Sequence, residues 1–148
     1  MKTPGNCSKL FFEWGIDPAN DRPACHSVDA EMIDLSAFHA LAHAPLGPFG
    51  AKPTSIEGNQ QEASRLLWTS ADEGISIGIW ECTPGRFTAD RGKASEFCHL
   101  IFGRIEMTHA DGRKVQLGPG DAINLPLGWK GEWRVLEQVR KLYVMTRG

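Results

Sequence analysis

Gly120-Asp121-Ala122-Ile123-Asn124-Leu125-Pro126-Leu127-Gly128 is the stretch on which the reading of the fold turns. Gly118-Pro119-Gly120-Asp121 has the composition of a tight turn, because glycine supplies positive φ and proline pre-sets φ at its own position. Ala122–Leu125 then reads as a strand of a few residues. Pro126-Leu127-Gly128 redirects the chain into the next one. A strand this short, punctuated at both ends, belongs to an architecture built from many short strands rather than from helices.

The flanking sequence repeats the pattern. Ala110-Asp111-Gly112-Arg113 places Asp-Gly between two apolar runs, a strong hairpin signal. Gly103 separates two adjacent runs at a point where a side chain would hinder a bend. The spacing predicts strands at Arg65–Thr69, Ile75–Thr83, Arg86–Ala89, Glu96–Phe102, Arg104–His109, Lys114–Leu117, Ala122–Leu125, Gly131–Leu136 and Val139–Met145. All are rich in β-branched and aromatic residues. Closely spaced strands without a long helix predict an all-β sandwich or barrel.

Before residue 60 the composition changes. Pro4, Pro18, Pro23, Pro45, Pro48 and Pro53 are six of the nine prolines. Each removes a backbone donor and fixes φ, so no long regular element is expected there. One short helix is predicted at Asp34–Ala44, capped by Asp34 or Ser36 and stopped by Pro45. The expected organisation is an irregular N-terminal arm over 1–60 and a barrel over 61–148.

A chain of 148 residues suits one domain. Hydrophobic residues at 41%, charged residues at 23% and a formal net charge of -2 give no basic excess for nucleic acid or an anionic membrane. The apolar run Leu10-Phe11-Phe12 is too short for a signal peptide, and no window approaches the roughly 18 apolar residues of a membrane span. The cytoplasm is the expected location. Cys7, Cys25, Cys82 and Cys98 form no C-x-x-C pair, so reduced thiols are expected.

Two stretches resemble the cupin superfamily. Its second conserved stretch, G-x5-P-x-G-x2-H-x3-N, is matched by Gly120, Pro126 and Gly128 up to the histidine. Its first ends E-x6-G, matched by Glu96 and Gly103. Further strings sharpen the likeness: Ile79-Trp80-Glu81-Cys82-Thr83-Pro84-Gly85-Arg86-Phe87, Glu96-Phe97-Cys98-His99, Gly131-Glu132-Trp133 and Lys141-Leu142-Tyr143-Val144. Together they resemble the small cupins related to the cupin domain of (S)-ureidoglycine aminohydrolase and to EutQ-like proteins. The resemblance covers roughly residues 65–146. It implies an RmlC-like double-stranded β-helix, that is, a jelly-roll barrel. A homodimer and a setting in nitrogen or amine catabolism are further implications.

The resemblance also exposes a gap. Metal-binding cupins carry His-x-His shortly before the glutamate, where this chain has Asp90-Arg91-Gly92-Lys93. The third histidine falls on Gly131. Arg91 and Lys93 are cations and cannot serve as normal ligands. Glu96 alone is too little to hold a first-row metal. No metal or other cofactor is therefore expected, with an unusual divalent site as the exception to watch. His39 and His43, at i, i+4 spacing on the predicted helix, read as ordinary exposed residues.

Strand parity supplies candidate ligand-binding residues. Glu96 and Cys98 share one face, and Phe97 and His99 the other. Glu81 continues a stripe with Ile75, Ile77 and Ile79, opposite Trp80 and Cys82. It reads either as a solvated strand end or as a lumen group. Lys141 and Tyr143 share a face, Trp133 shares one with Gly131 and is expected to fill the vacated metal space, and Asn124 is a polar residue in a central strand. Glu81, Glu96, Cys98, Asn124, Trp133, Lys141 and Tyr143 form the candidate set, and no catalytic residue is assigned. The leading expectation is a metal-free cupin binding a small polar molecule. The alternatives are a metal-dependent hydrolase or isomerase with nonstandard ligands, and a non-catalytic dimeric interaction or sensor module.

Overall fold

A computed structural model describes residues 35–148. Asp34, Cys7 and Cys25, on which expectations were built, lie outside the described residues. Nine strands follow in order: β1 Gly50–Ala51, β2 Ser55–Glu57, β3 Gln61–Thr69, β4 Ile75–Cys82, β5 Gly85–Asp90, β6 Ala94–His109, β7 Lys114–Leu117, β8 Ala122–Leu125 and β9 Lys130–Arg147. The described residues contain no helix, so the all-β expectation holds.

The strands form one antiparallel sheet with the order β1-β3-β4-β9-β5-β2, and β6 adds β7, β8 and a long pairing with β9. β9 is the hub. Its second half pairs with β4, its first half with β5, and nearly its whole length with β6. One strand serving three neighbours curls the sheet on itself and places one set of alternate residues inside. That interior holds Cys82, Phe87, Cys98, Leu100, Ile105, Met107, Leu125, Trp133, Val135 and Val139.

Three expectations change here. The two runs on either side of Gly103 are one strand, β6, and the two runs ending β9 are likewise one. The pairing continues through register shifts between Leu100 and Ile105 rather than breaking. Gly103 does bend the chain, at φ +86, and a Cβ there would collide with the backbone of Gln138 and Val139. It marks a bulge inside a strand, not a strand end.

The short helix over 34–44 does not form in its described part. Residues 35–40 are irregular and Leu41–His43 is a turn, closed by the His43 N–H donating to the Ala40 carbonyl at 2.9 Å. His39 and His43 are exposed and share no helix face. Tertiary hydrogen bonds to this segment, described below, replace the helical ones. β1 and β2 lie within residues expected to be irregular. They pair with β3 and β5, so residues 50–57 contribute to the sheet. Among the described residues no helix is long and apolar enough to cross a membrane.

Candidate functional site

Alternation along β9 sets up the site. Arg140 lies opposite Glu81 and Lys141 opposite Trp80, so neighbouring cations leave opposite faces of one strand. On the other side Lys141 lies opposite Leu100, Tyr143 opposite Cys98 and Met145 opposite Glu96. Trp80, Lys141, Tyr143, Cys98 and Glu96 therefore share the inner face. Gly78 stands opposite Tyr143, and a Cβ there would run into the phenol. Its missing side chain gives the Tyr143 ring room across β4.

Glu96 is the centre of the inner cluster and is 3% exposed. Lys141 Nζ donates to its Oε1 at 2.6 Å. Arg91 Nε donates to its Oε2 at 2.6 Å, and Arg91 Nη2 contacts the same oxygen. Burial pushes the Glu96 carboxyl up, but Lys141 and then Arg91, through charge and hydrogen bonds, outweigh it and hold it below the usual glutamate range. Lys141 also approaches the Cys98 Sγ at 3.6 Å. Its Nζ stands 4.4 Å from the centre of the Trp133 ring and 4.7 Å from that of Trp80. Aromatic faces stabilise a cation most when water is excluded.

Burial dominates the two other inner groups. It pushes the Cys98 thiol up to about 12, against the lowering effect of Lys141. It likewise raises Tyr143, where Lys141 pulls down and Glu96 pushes up. Both are neutral at pH 7, and a neutral buried thiol is a poor nucleophile.

A second arm of the cluster comes from the segment before β2. Lys52 Nζ pairs with Glu62 Oε2 at 2.6 Å and lies 4.1 Å from the centre of the Phe87 ring. The Trp80 indole N–H donates to the same Glu62 oxygen at 2.8 Å. Lys52, Ser64, Ser76, Trp80, Phe87, Arg91, Glu96, Lys141, Tyr143 and Met145 line a cavity of about 280 Å³. Cavities of about 330 and 590 Å³ lie toward the His109 end of the barrel. Neither is lined by a buried ion pair, whereas the inner one gathers charged, hydroxyl and aromatic groups as ligand sites do.

Glu81 and Asn124 do not join this set. Glu81 is on the outer face, where Arg140 Nε donates to its Oε2 at 2.7 Å and Gln138 Nε2 donates to its Oε1. Arg140 Nη1 also donates to the carbonyls of Leu41 and Ala44, each at 2.9 Å. Parity decides the outcome: Trp80 occupies the inward position, so Glu81 faces out, buried beside an Arg140 that is tied to the 41–44 segment. Asn124 is exposed, opposite Phe97 on the outer side of β6. Trp133 is fully buried and stacked on Phe87 at 5.6 Å between ring centres, forming the floor beneath Lys141.

The residues present do not fit the divalent metal that the barrel family suggests. Both Glu96 oxygens are taken by cations, and a metal ion there would meet the like charges of Lys141 and Arg91. At Gly131 a Cβ would collide with the Thr108 carbonyl and the Trp129 ring. A histidine cannot be seated there, and it is Trp129, not Trp133, that fills the space beside it. Among the described residues no group of three or more His, Cys, Asp or Glu gathers to hold a metal.

Of the sequence candidates, Glu96, Cys98, Trp133, Lys141 and Tyr143 lie together on the inner face. Sequence reasoning passed over Arg91, judged only as a failed metal ligand, and Trp80, which parity placed opposite Glu81 without saying which of the two faces inward. It had no signal for Lys52 or Glu62, which arrive through chain reversals that periodicity does not encode.

The family model described as "EutQ-like cupin domain" matches residues 69–143. Among solved structures, the EutQ protein of Clostridium difficile is 24% identical, with 60% of this chain and 69% of that one covered and a TM-score of 0.52. A protein of unknown function from Pseudomonas syringae pv. tomato is 24% identical over 69% of this chain and 43% of that one, with a TM-score of 0.60. Ectoine synthase from P. lautus is 22% identical over 63% and 68%, with a TM-score of 0.54. These likenesses establish a cupin β-barrel. No curated protein matches the chain.

Proposed function

We propose, for a chain that belongs to the EutQ-like cupin family, that the barrel binds a small polar molecule at the Lys141–Glu96–Arg91 cluster without a metal. One observation carries this reading: a lysine and an arginine hold both oxygens of the barrel's glutamate at the wall of a cavity of about 280 Å³. In a metal-binding barrel a divalent ion would supply the positive charge. Here an ammonium and a guanidinium supply it from the chain itself. Fixed charges on buried side chains act more strongly than charges in bulk water.

The cluster's chemistry is recognition and charge stabilisation. Arg91 retains Nη N–H donors beyond those on Glu96, Lys141 retains an N–H beyond those aimed at Glu96 and Cys98, and Tyr143 offers a hydroxyl. Trp80 and Phe87 provide an apolar wall. Such a set orients a polar head group and packs an apolar remainder.

The test combines metal analysis with a thermal-shift screen of amines, amides, ureides and carboxylic acids. The expected result is less than stoichiometric Mn, Fe, Ni and Zn, no change in melting temperature on chelation, and at least one compound that raises the melting temperature of the wild type but not of Lys141→Met. A ligand that binds N and not U must raise apparent stability. A retained equivalent of metal that chelator removes with loss of stability contradicts the reading. So does a screen without any specific ligand.

A further inference from the structure

The charges around the cavity do not balance. Lys52, Arg91 and Lys141 are positive, and Glu96 and the Lys52 partner Glu62 are negative, which leaves one positive charge in excess. The side chains that carry it are sheltered, with 10% of Lys52, 18% of Arg91 and 6% of Lys141 exposed. An excess charge carried by sheltered side chains at a concave site favours a counter-charged occupant.

Among the described residues, no other group lining the cavity supplies the missing negative charge. Cys98 and Tyr143 are neutral, for the reasons of burial given above. The hydroxyls of Ser64, Ser76 and Tyr143 line the same space and make no side-chain hydrogen bond among the described residues. Ser76 and Tyr143 are half-buried and Ser64 is exposed, and each can donate to an occupant. Both carboxylates, by contrast, already accept from cations or from the Trp80 indole. An amine would find its natural partners occupied, and would add a second uncompensated positive charge.

We infer that the occupant is a small organic monocarboxylate, held by its carboxylate between Lys52, Arg91 and the cavity hydroxyls, with its apolar part against Trp80 and Phe87. This rests on the reading of the barrel as a ligand pocket and adds the ligand's chemical class. A single negative charge matches the single positive excess. Arg91, whose Nε and one Nη2 N–H hold Glu96, keeps further N–H donors on its Nη atoms for a carboxylate. Inorganic phosphate lacks any part to place on the aromatic wall. Lys52 ties the site to the segment between β1 and β2, so that segment contributes a specificity residue and not merely a cover.

The experiment is calorimetric titration of the full chain with butyrate and benzoate. The same titration is made with the neutral amides butyramide and benzamide, with butylamine, and with inorganic phosphate. At least one carboxylate is expected to bind saturably, while its own amide, the amine and phosphate bind at least about tenfold more weakly, the loss of one charge-assisted contact. Lys52→Gln should weaken the carboxylate by about the same factor, and Glu62→Gln, which frees Lys52, should tighten it. Circular dichroism and melting temperature establish that each variant is folded. Where one variant fails to fold, the other decides by the sign of its effect. Amide or amine binding that equals or exceeds carboxylate binding overturns the inference and leaves the pocket reading standing. Preferential phosphate binding also overturns it. If none of these binds while the broad screen finds another ligand, the class is wrong but the pocket is real. If that screen fails too, both fall.

Discussion

Arg140 and Lys141 are neighbours on one strand, and each is bound to a buried glutamate, yet they do different things. On the outer face Arg140 divides its donors between Glu81 and the carbonyls of Leu41 and Ala44. Both Glu81 oxygens accept hydrogen bonds there, from Arg140 and Gln138. On the inner face Lys141 meets Glu96, but the cluster stops at a cavity wall with, among the described residues, one positive charge in excess and hydroxyls that bond no other side chain. A closed network of charges fastens a segment to the sheet. An open one waits for a partner. The difference between structural and functional ion pairs lies in what remains unsatisfied after the pair has formed.

The largest effect should come from the outer pair. Arg140→Met strands Glu81 in a buried position and removes two bonds to the 41–44 segment. Stability measured by chemical denaturation should fall by about 3–5 kcal/mol, the range for breaking a buried pair by deleting one partner. In the folded fraction ligand affinity should not change. If affinity collapses while stability is kept, the two regions have been assigned the wrong way round.

Lys141→Met should cost less, about 1–3 kcal/mol, because Arg91 still covers Glu96. It should abolish binding. The double variant Glu96→Gln/Lys141→Met removes both charges and should recover most of the lost stability without recovering binding, a coupling that a double-mutant cycle reads directly.

A smaller effect concerns acid. The folded Glu96 carboxyl is held below the ordinary value of 4.5. Its pairing therefore stabilises the fold above that value and is lost as pH falls through the lower folded one. Glu96→Gln should be less stable than wild type at neutral pH, and the gap should shrink as pH drops below about 4.5 in equilibrium denaturation. A gap that stays constant into acid means the carboxylate was not paired.

The smallest effect is the slowness of Cys98. With the thiol pushed up to about 12 it should resist iodoacetamide at pH 8 in the folded protein and react promptly after denaturation. Fast alkylation of native Cys98, followed by peptide mass mapping, would show an open and polarised inner face instead.

The fold was legible in the sequence because its signals are local. The turn at Gly118–Asp121, the Asp-Gly hairpin and the Gly-x5-Pro-x-Gly spacing each force a chain reversal within a few residues. Parity then put Glu96 with Cys98 and Lys141 with Tyr143. The same rule left Glu81 ambiguous, because parity says which residues share a face and not which face is inside. The inward position of Trp80 resolves it, through its register with Lys141. Gly103 was misread as a break because a bulge and a strand end leave the same trace, an isolated glycine. Lys52 and Glu62 were out of reach, since they enter through long-range pairing. So was the reason for the missing third histidine: Gly131 has no room for a side chain against Trp129, a fact of packing.

The central claim is that ligand chemistry belongs to the inner face of β9 and fastening to the outer face. Tryptophan indole N–H resonances separate the two. Trp80 donates to Glu62 on the inner wall, whereas Trp68 sits partly exposed on β3, opposite Ile77 on the outer face of β4. In the protein labelled with 15N at its tryptophans and titrated with the tightest-binding carboxylate, the Trp80 indole signal should move saturably and that of Trp68 should stay fixed. Movement of Trp68 with Trp80 unchanged would contradict the account.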